Sequence, residues 1–204
     1  MSSILIAQFM RLSALLLFVL VIGLFPSFRP SDDRYLASPA VRDSKKIKWM
    51  SFKEAHALNQ KAPRKIIIDV YTGWCGWCKV MDQRTFTQPA IIDYVNEHFY
   101  AVKLDAEQDA DISVGGQTFR KQGNTHELAV SLLQGKMSYP STVFLDEKMA
   151  MIQPIAGYLE PRTFHQIITY FGGNYQAKEP FDNFKAGTYV KEFQPTMPAP
   201  ASGK

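Results

Sequence analysis

The sequence predicts an α/β fold, a mixed central β-sheet with helices on both faces. Three observations predict it. Short β-branched runs of buried-strand type alternate with helical stretches. A strand, a helix and a second parallel strand close a right-handed crossover. Two late strands, inside "STVFLDEKMAMIQPIAG", lie close enough in sequence to pair antiparallel. The expected order is β-α-β-α-α-β, then α-β-β-α.

Order begins near Trp49. From Ser51 to Ala62, apolar residues recur at Phe52, Ala55 and Leu58. Ser51 with Glu54 three residues on is a capping box, so this helix has a marked start, and Pro63 stops it. "KIIIDVYT" is a buried-type strand with one acid inside it. A helix runs from Cys75 to about Arg84. Thr87 and Pro89 open another, "AIIDYVNEH". "FYAVKLDA" is a second strand. Residues 107–126 are polar, with Gly115 and Gly116 together, and predict a long loop. "ELAVSLLQ" is a short helix. The late strands turn around Glu147 and Lys148. "PRTFHQIITYF" is the closing helix, started by Pro161 and ended by Gly172 and Gly173. The expected domain spans 49–175, with an insertion around 107–134. Residues 176–204 form a C-terminal extension and Pro-rich tail.

The chain has 204 residues, 46% hydrophobic and 13% aromatic, which suits a packed core. Its formal charge of +4 is local. Residues 1–48 hold seven Lys/Arg against three Asp/Glu, and the remainder balances at sixteen of each. No basic stripe is left to bind phosphate, so no nucleic-acid partner is expected. The N-terminal run Leu12–Phe25 is uncharged and almost wholly apolar, preceded by Arg11 and ended by Pro26. It is short for a spanning helix and fits the apolar region of a secretory signal. Residues 1–28 are therefore expected to be a signal peptide or an N-terminal anchor, with membrane association through residues 4–25. Residues 29–48 read as a polar linker. The expected location is the bacterial periplasm, soluble or anchored to the inner membrane.

Both cysteines of the chain sit in "VYTGWCGWCKVM". A staple would do more closing a long loop. Zinc wants about four ligands, and the four histidines are scattered without ligand spacing. Two reduced core thiols are the remaining alternative. A sulfur at Cys75, where a strand ends and a helix starts, faces unpaired backbone N–H groups and the positive end of the helix dipole. Both favour thiolate, and such thiols titrate near roughly 7 or below, against about 8.5 for a free cysteine. Cys78, one turn on and expected further from solvent, can reach back to close a disulfide. Cys75 then attacks and Cys78 resolves.

Asp69 lies six residues before Cys75 in an otherwise apolar strand. Burial raises a carboxyl pKa, which suits a proton acceptor for Cys78. A strand-edge Asp reaching solvent is the alternative. Pro140, just before a strand and after Tyr139, removes a ladder donor and suggests a sharp backbone turn. The sequence alone leaves its isomer open.

"DVYTGWCGWCK", "SYPSTVFLDE" and "AGYLEPRTFHQII" together resemble the thioredoxin family over roughly residues 49–173. "CKVMDQRTF" and "AIIDYVNEHFYAVKLDAE" look closer to the thioredoxin-like domains of bacterial envelope proteins, among them the C-terminal domain of the transmembrane thiol:disulfide interchange protein. The resemblance implies a nucleophile at Cys75, a resolving thiol at Cys78 and a buried acid at Asp69. It implies a cis proline at Pro140, with Tyr139 offering backbone to an extended substrate, and Gly157 close to the active-site face. Substrate is expected against Trp74, Gly76, Trp77, Tyr139, Pro140 and Gly157. Gly76 and Trp77 stand where thioredoxin has Gly-Pro, which leaves reductant or oxidant open. The insertion is expected near the active-site face, shaping partner choice; a surface excursion is the alternative. The expected function is reduction of disulfides in envelope proteins, with a redox donor or acceptor protein as second partner and no cofactor or metal. The alternatives are an oxidase or isomerase, or a peptide-binding chaperone module.

Overall fold

The computed structural model describes residues 46–193. The expected signal or anchor, most of the linker and the Pro-rich tail lie outside the described residues. Among the described residues, no helix is long and apolar enough to cross a membrane.

The central sheet is built from β1 (Trp49–Met50), β2 (Lys65–Tyr71), β3 (Phe99–Asp105), β8 (Ser141–Leu145) and β9 (Met151–Ala156), in the order β1-β3-β2-β8-β9. Its first two pairings are parallel and its last two antiparallel, so the sheet is mixed, as expected. β2 is central, which is why "KIIIDV" is buried throughout. β9 is an edge strand and tolerates Pro154, which has no N–H to donate.

Strand alternation sorts the core into two layers. On one face Ile67, Ala101 and Phe144 pack under α2 (Gly76–Arg84), α3 (Pro89–His98) and α5 (Pro161–Gly172), through Met81, Ile91, Val95, Phe164 and Ile168. On the other, Ile66, Ile68, Val70, Val102 and Val143 pack under α1 (Phe52–Lys61) and α4 (Glu127–Leu132). Each buried isoleucine contributes roughly 1.5–3 kcal/mol. The capping box of α1 is formed: Glu54 N donates to Ser51 Oγ at 3.2 Å, and Ser51 N donates back to Glu54 Oε2 at 2.8 Å. The acid in the "IIID" strand, Asp69, shares the face of Ile67 and so points toward the layer that contains α2.

Three segments differ from the expectation. Residues 107–126 are not a plain loop but two small hairpins, β4 (Ile112–Val114) with β5 (Gln117–Phe119), and β6 (Lys121–Gln122) with β7 (Thr125–His126). The reason is the Gly115–Gly116 pair, whose φ of 58° and 79° make the tight two-residue turn that antiparallel strands favour. Ile112, Val114 and Phe119 then pack onto the second layer of the core. The end of the linker is tied down: Ile47 is buried, Lys48 N donates to Asn96 Oδ1 at 2.9 Å, and Asn96 Nδ2 donates to the Lys46 carbonyl at 3.0 Å. Past residue 175 the chain stays packed through α6 (Phe181–Ala186) and α7 (Thr188–Glu192), because Phe184 and Tyr189 bury completely against Tyr170 of α5.

Candidate functional site

β2 ends at Tyr71, and the chain turns over Thr72 to Trp74 into α2. Cys75 N donates to the Thr72 carbonyl at 3.2 Å. Cys75 is itself the N-cap of α2: its backbone is extended, and its Sγ accepts from Cys78 N at 3.1 Å. A sulfur thus takes the place usually held by a Ser or Asp oxygen, satisfying one orphan donor of the helix start. Cys75 and Cys78 are joined as a disulfide, with Cα atoms 5.3 Å apart. The expectation that Cys78 lies further from solvent is corrected. Both residues are 4% exposed, since the bonded sulfurs share the cover of one helical turn. What separates them is position, with Cys75 at the cap and Cys78 inside the first turn.

The register Val70–Ser141 between β2 and β8 brings Tyr139 and Pro140 to the same sheet end as the cysteines. The Tyr139–Pro140 bond is cis. The Pro140 carbonyl accepts from Gly157 N at 2.8 Å, and Gly157 has a φ of 96°, open to glycine because it lacks Cβ. The Trp74 ring meets Tyr139 edge-on at 5.9 Å, and its Nε1 donates to Glu107 Oε1 at 3.0 Å. Trp77 lies 5.3 Å from Tyr158. Each indole is braced yet 68% and 62% exposed for Trp74 and Trp77, and Gly76 between them is exposed too. The fold therefore gathers Trp74, Cys75, Gly76, Trp77, Cys78, Tyr139, Pro140 and Gly157 around one end of the sheet. Through Glu107, the start of the insertion reaches that end as well.

Asp69 is 2% exposed in the central strand, which removes the strand-edge alternative. Its Oδ2 pairs with Lys103 Nζ at 2.7 Å, and its Oδ1 has no hydrogen-bond partner among the described residues. Burial pushes its carboxyl up from 3.8 to about 6, against the pull of Lys103 and with a smaller push from Asp82. Lys103, opposite Asp69 in the parallel ladder, also pairs with Asp82 on α2. Burial presses the Lys103 ammonium downward, but the two carboxylates outweigh it and its pKa ends raised. Sequence reasoning missed Lys103, Asp82, Glu107 and Tyr158. Lys103 had a signal: Phe99, Ala101 and Lys103 alternate onto one face, and a lysine on a buried face asks for an acid. Among the described residues, no three His, Cys, Asp or Glu side chains converge as a metal site.

Solved structures resemble this chain at low identity, and three of them show the range. One described as "DsbH Oxidoreductase" is 16% identical, covering 61% of this chain and 83% of its own, with a TM-score of 0.46. A thioredoxin-fold protein from Helicobacter pylori is 18% identical over 68% of this chain and 96% of its own, at 0.46. A thioredoxin from Thermus thermophilus is 19% identical over 64% of this chain and 93% of its own, at 0.49. No curated protein sequence matches the chain. Residues 31–180 match the model of the family described as "Thioredox_DsbH: Protein of unknown function, DUF255". That match covers most of the chain and takes in every residue of the Cys75 site, and the chain belongs to this thioredoxin-like family.

Proposed function

We propose that this protein is a thiol–disulfide oxidoreductase that reduces disulfides in exported proteins. The observation that carries the reading is Cys75 Sγ at the N-cap of α2, bonded to Cys78 beside the cis Tyr139–Pro140 bond. In the reduced form, the Cys75 thiolate attacks a substrate disulfide, forming a mixed disulfide and releasing one substrate thiolate. Cys78, having passed its proton to Asp69, attacks Cys75 Sγ. The second substrate thiolate leaves, and the Cys75–Cys78 disulfide forms. Two electrons pass to the substrate, whose thiolates take protons from water. A donor protein then returns the Cys75–Cys78 pair to dithiol.

Thiol-dependent insulin reduction tests the activity, and its absence at every redox poise favours a peptide-binding module. The potential of the Cys75–Cys78 couple against glutathione tests the direction. A value near about −270 mV supports a reductase, and one near about −120 mV an oxidase. Export rests on the Leu12–Phe25 run: a reporter fused after residue 48 is expected outside the cytoplasm, and one active only inside it overturns that part.

A further inference from the structure

We propose that Asp82, on the partly exposed side of α2, is a positioning residue: it shares the Lys103 ammonium with Asp69 and so governs how readily that buried carboxylate takes up the Cys78 proton. This rests on the reading of Asp69 as the proton acceptor. The bridge itself is in the structure. Lys103 Nζ contacts Asp69 Oδ2 at 2.7 Å and also contacts Asp82 Oδ1. An ammonium has three hydrogens to divide among its acceptors. It is held where it is, because Nζ lies over the rings of Trp49, Tyr71 and Phe86 at 5.2, 5.0 and 5.2 Å. The Asp82 side chain is 46% exposed and lines a cavity of about 400 Å³ with Ile47, Trp49 and Phe86.

The two carboxylates are unequal. Asp82 is half-exposed and open to water, whereas Asp69 is buried and depends on Lys103 to hold a negative charge. Asp82 weakens that support in two ways. It repels the Asp69 anion, and it draws part of the ammonium's attraction to itself. Both keep Asp69 eager for a proton. The groups that face Asp69 are few. β3 supplies Lys103, β8 supplies Thr142, and α2 supplies Asp82. Tyr71, on Asp69's own strand, is held neutral beyond its ordinary range by burial first and by nearby Asp105 second. The charges acting on Asp69 from these groups are therefore those of Lys103 and Asp82. With no basic residue other than Lys103 among them, the lysine's division between two acids sets the balance.

The test is a titration of the Asp69 side-chain carbonyl by ¹³C NMR in the full-length reduced protein, beside the pH profile of substrate release from the mixed disulfide. Asp82→Asn is expected to move the Asp69 midpoint down by roughly one pH unit, and Asp82→Glu to restore it. Lys103→Gln is expected to move it up by roughly 1–3 units. The acid limb of release is expected to follow the midpoint in each variant. An unchanged or raised midpoint in Asp82→Asn overturns the proposal, and because Asp82 is half-exposed this variant is expected to fold even if Lys103→Gln does not. A midpoint that falls while the acid limb stays put overturns Asp69 as acceptor, and with it Asp82's part in the reaction. Failure of the oxidoreductase reading shows separately, as absent insulin reduction by the unmodified protein.

Discussion

Removing one sulfur at a time separates the roles of the two cysteines. Cys75 caps α2 and is the sulfur placed for attack; Cys78 sits inside the first turn. Cys78→Ser is expected to accumulate mixed disulfides with its partners, stable until reductant is added, and Cys75→Ser to trap far less. Non-reducing gels read the difference, and equal trapping by both defeats the assignment. Asp69 carries a second prediction. Its folded pKa is raised from 3.8 to about 6, so the stability its proton contributes is full below pH 4 and is lost as pH rises through 6. The loss is about 3 kcal/mol across that window. Lys103 does not offset it there, since a raised lysine loses its contribution only above its ordinary 10.5. Asp69→Asn is therefore expected to flatten the fall in stability between pH 4 and 8, measured by urea unfolding, and to slow substrate release at neutral pH. A pH dependence identical to the unmodified protein leaves Asp69 as a structural residue.

At the scale of elements, the insertion is the instructive case. Read by composition, residues 107–126 are polar and glycine-containing, which predicts a loop. What makes two hairpins of them is local backbone freedom at Gly115 and Gly116 together with a distant apolar layer for Ile112, Val114 and Phe119 to cover. Gly116→Val forces a β-branched residue to a φ of 79° and is expected to cost about 1–2 kcal/mol of stability in urea. Because Glu107 at the root of this segment holds Trp74, the same variant is also expected to change the fluorescence of the site's indoles. No change in either leaves the hairpins as an independent surface excursion. By contrast α1, with its capping box and Pro63, was fully legible, because each signal acts within a few residues of itself.

On the scale of the whole molecule, the aromatic cluster past residue 175 locks the C-terminal helices onto α5. Tyr189 is fully buried, and its hydroxyl shares a hydrogen bond with His165 Nδ1 at 2.9 Å. Burial, and then nearby Arg162, lowers the His165 pKa to about 4, so the pair is neutral at physiological pH. Tyr189→Phe is expected to cost about 1 kcal/mol and Tyr189→Ala about 3–5 kcal/mol, read by thermal or urea unfolding. An Ala variant as stable as the parent would mean these helices contribute nothing to the domain. The sequence by itself determined the mixed sheet, the helix starts, the cysteine pair at a strand-to-helix junction and the acid six residues before it; the central place of β2 in the sheet decided that this acid is buried. Each is written in residue type and spacing along one segment, where periodicity, capping and turn chemistry act. Tertiary structure alone decided that Lys103 meets Asp69 and Asp82, that Glu107 and Tyr158 brace the two tryptophans, and that Phe184 and Tyr189 belong to the core. Those contacts join residues far apart in the chain, and their energy comes from burial and charge pairing that exist only once the strands are in register.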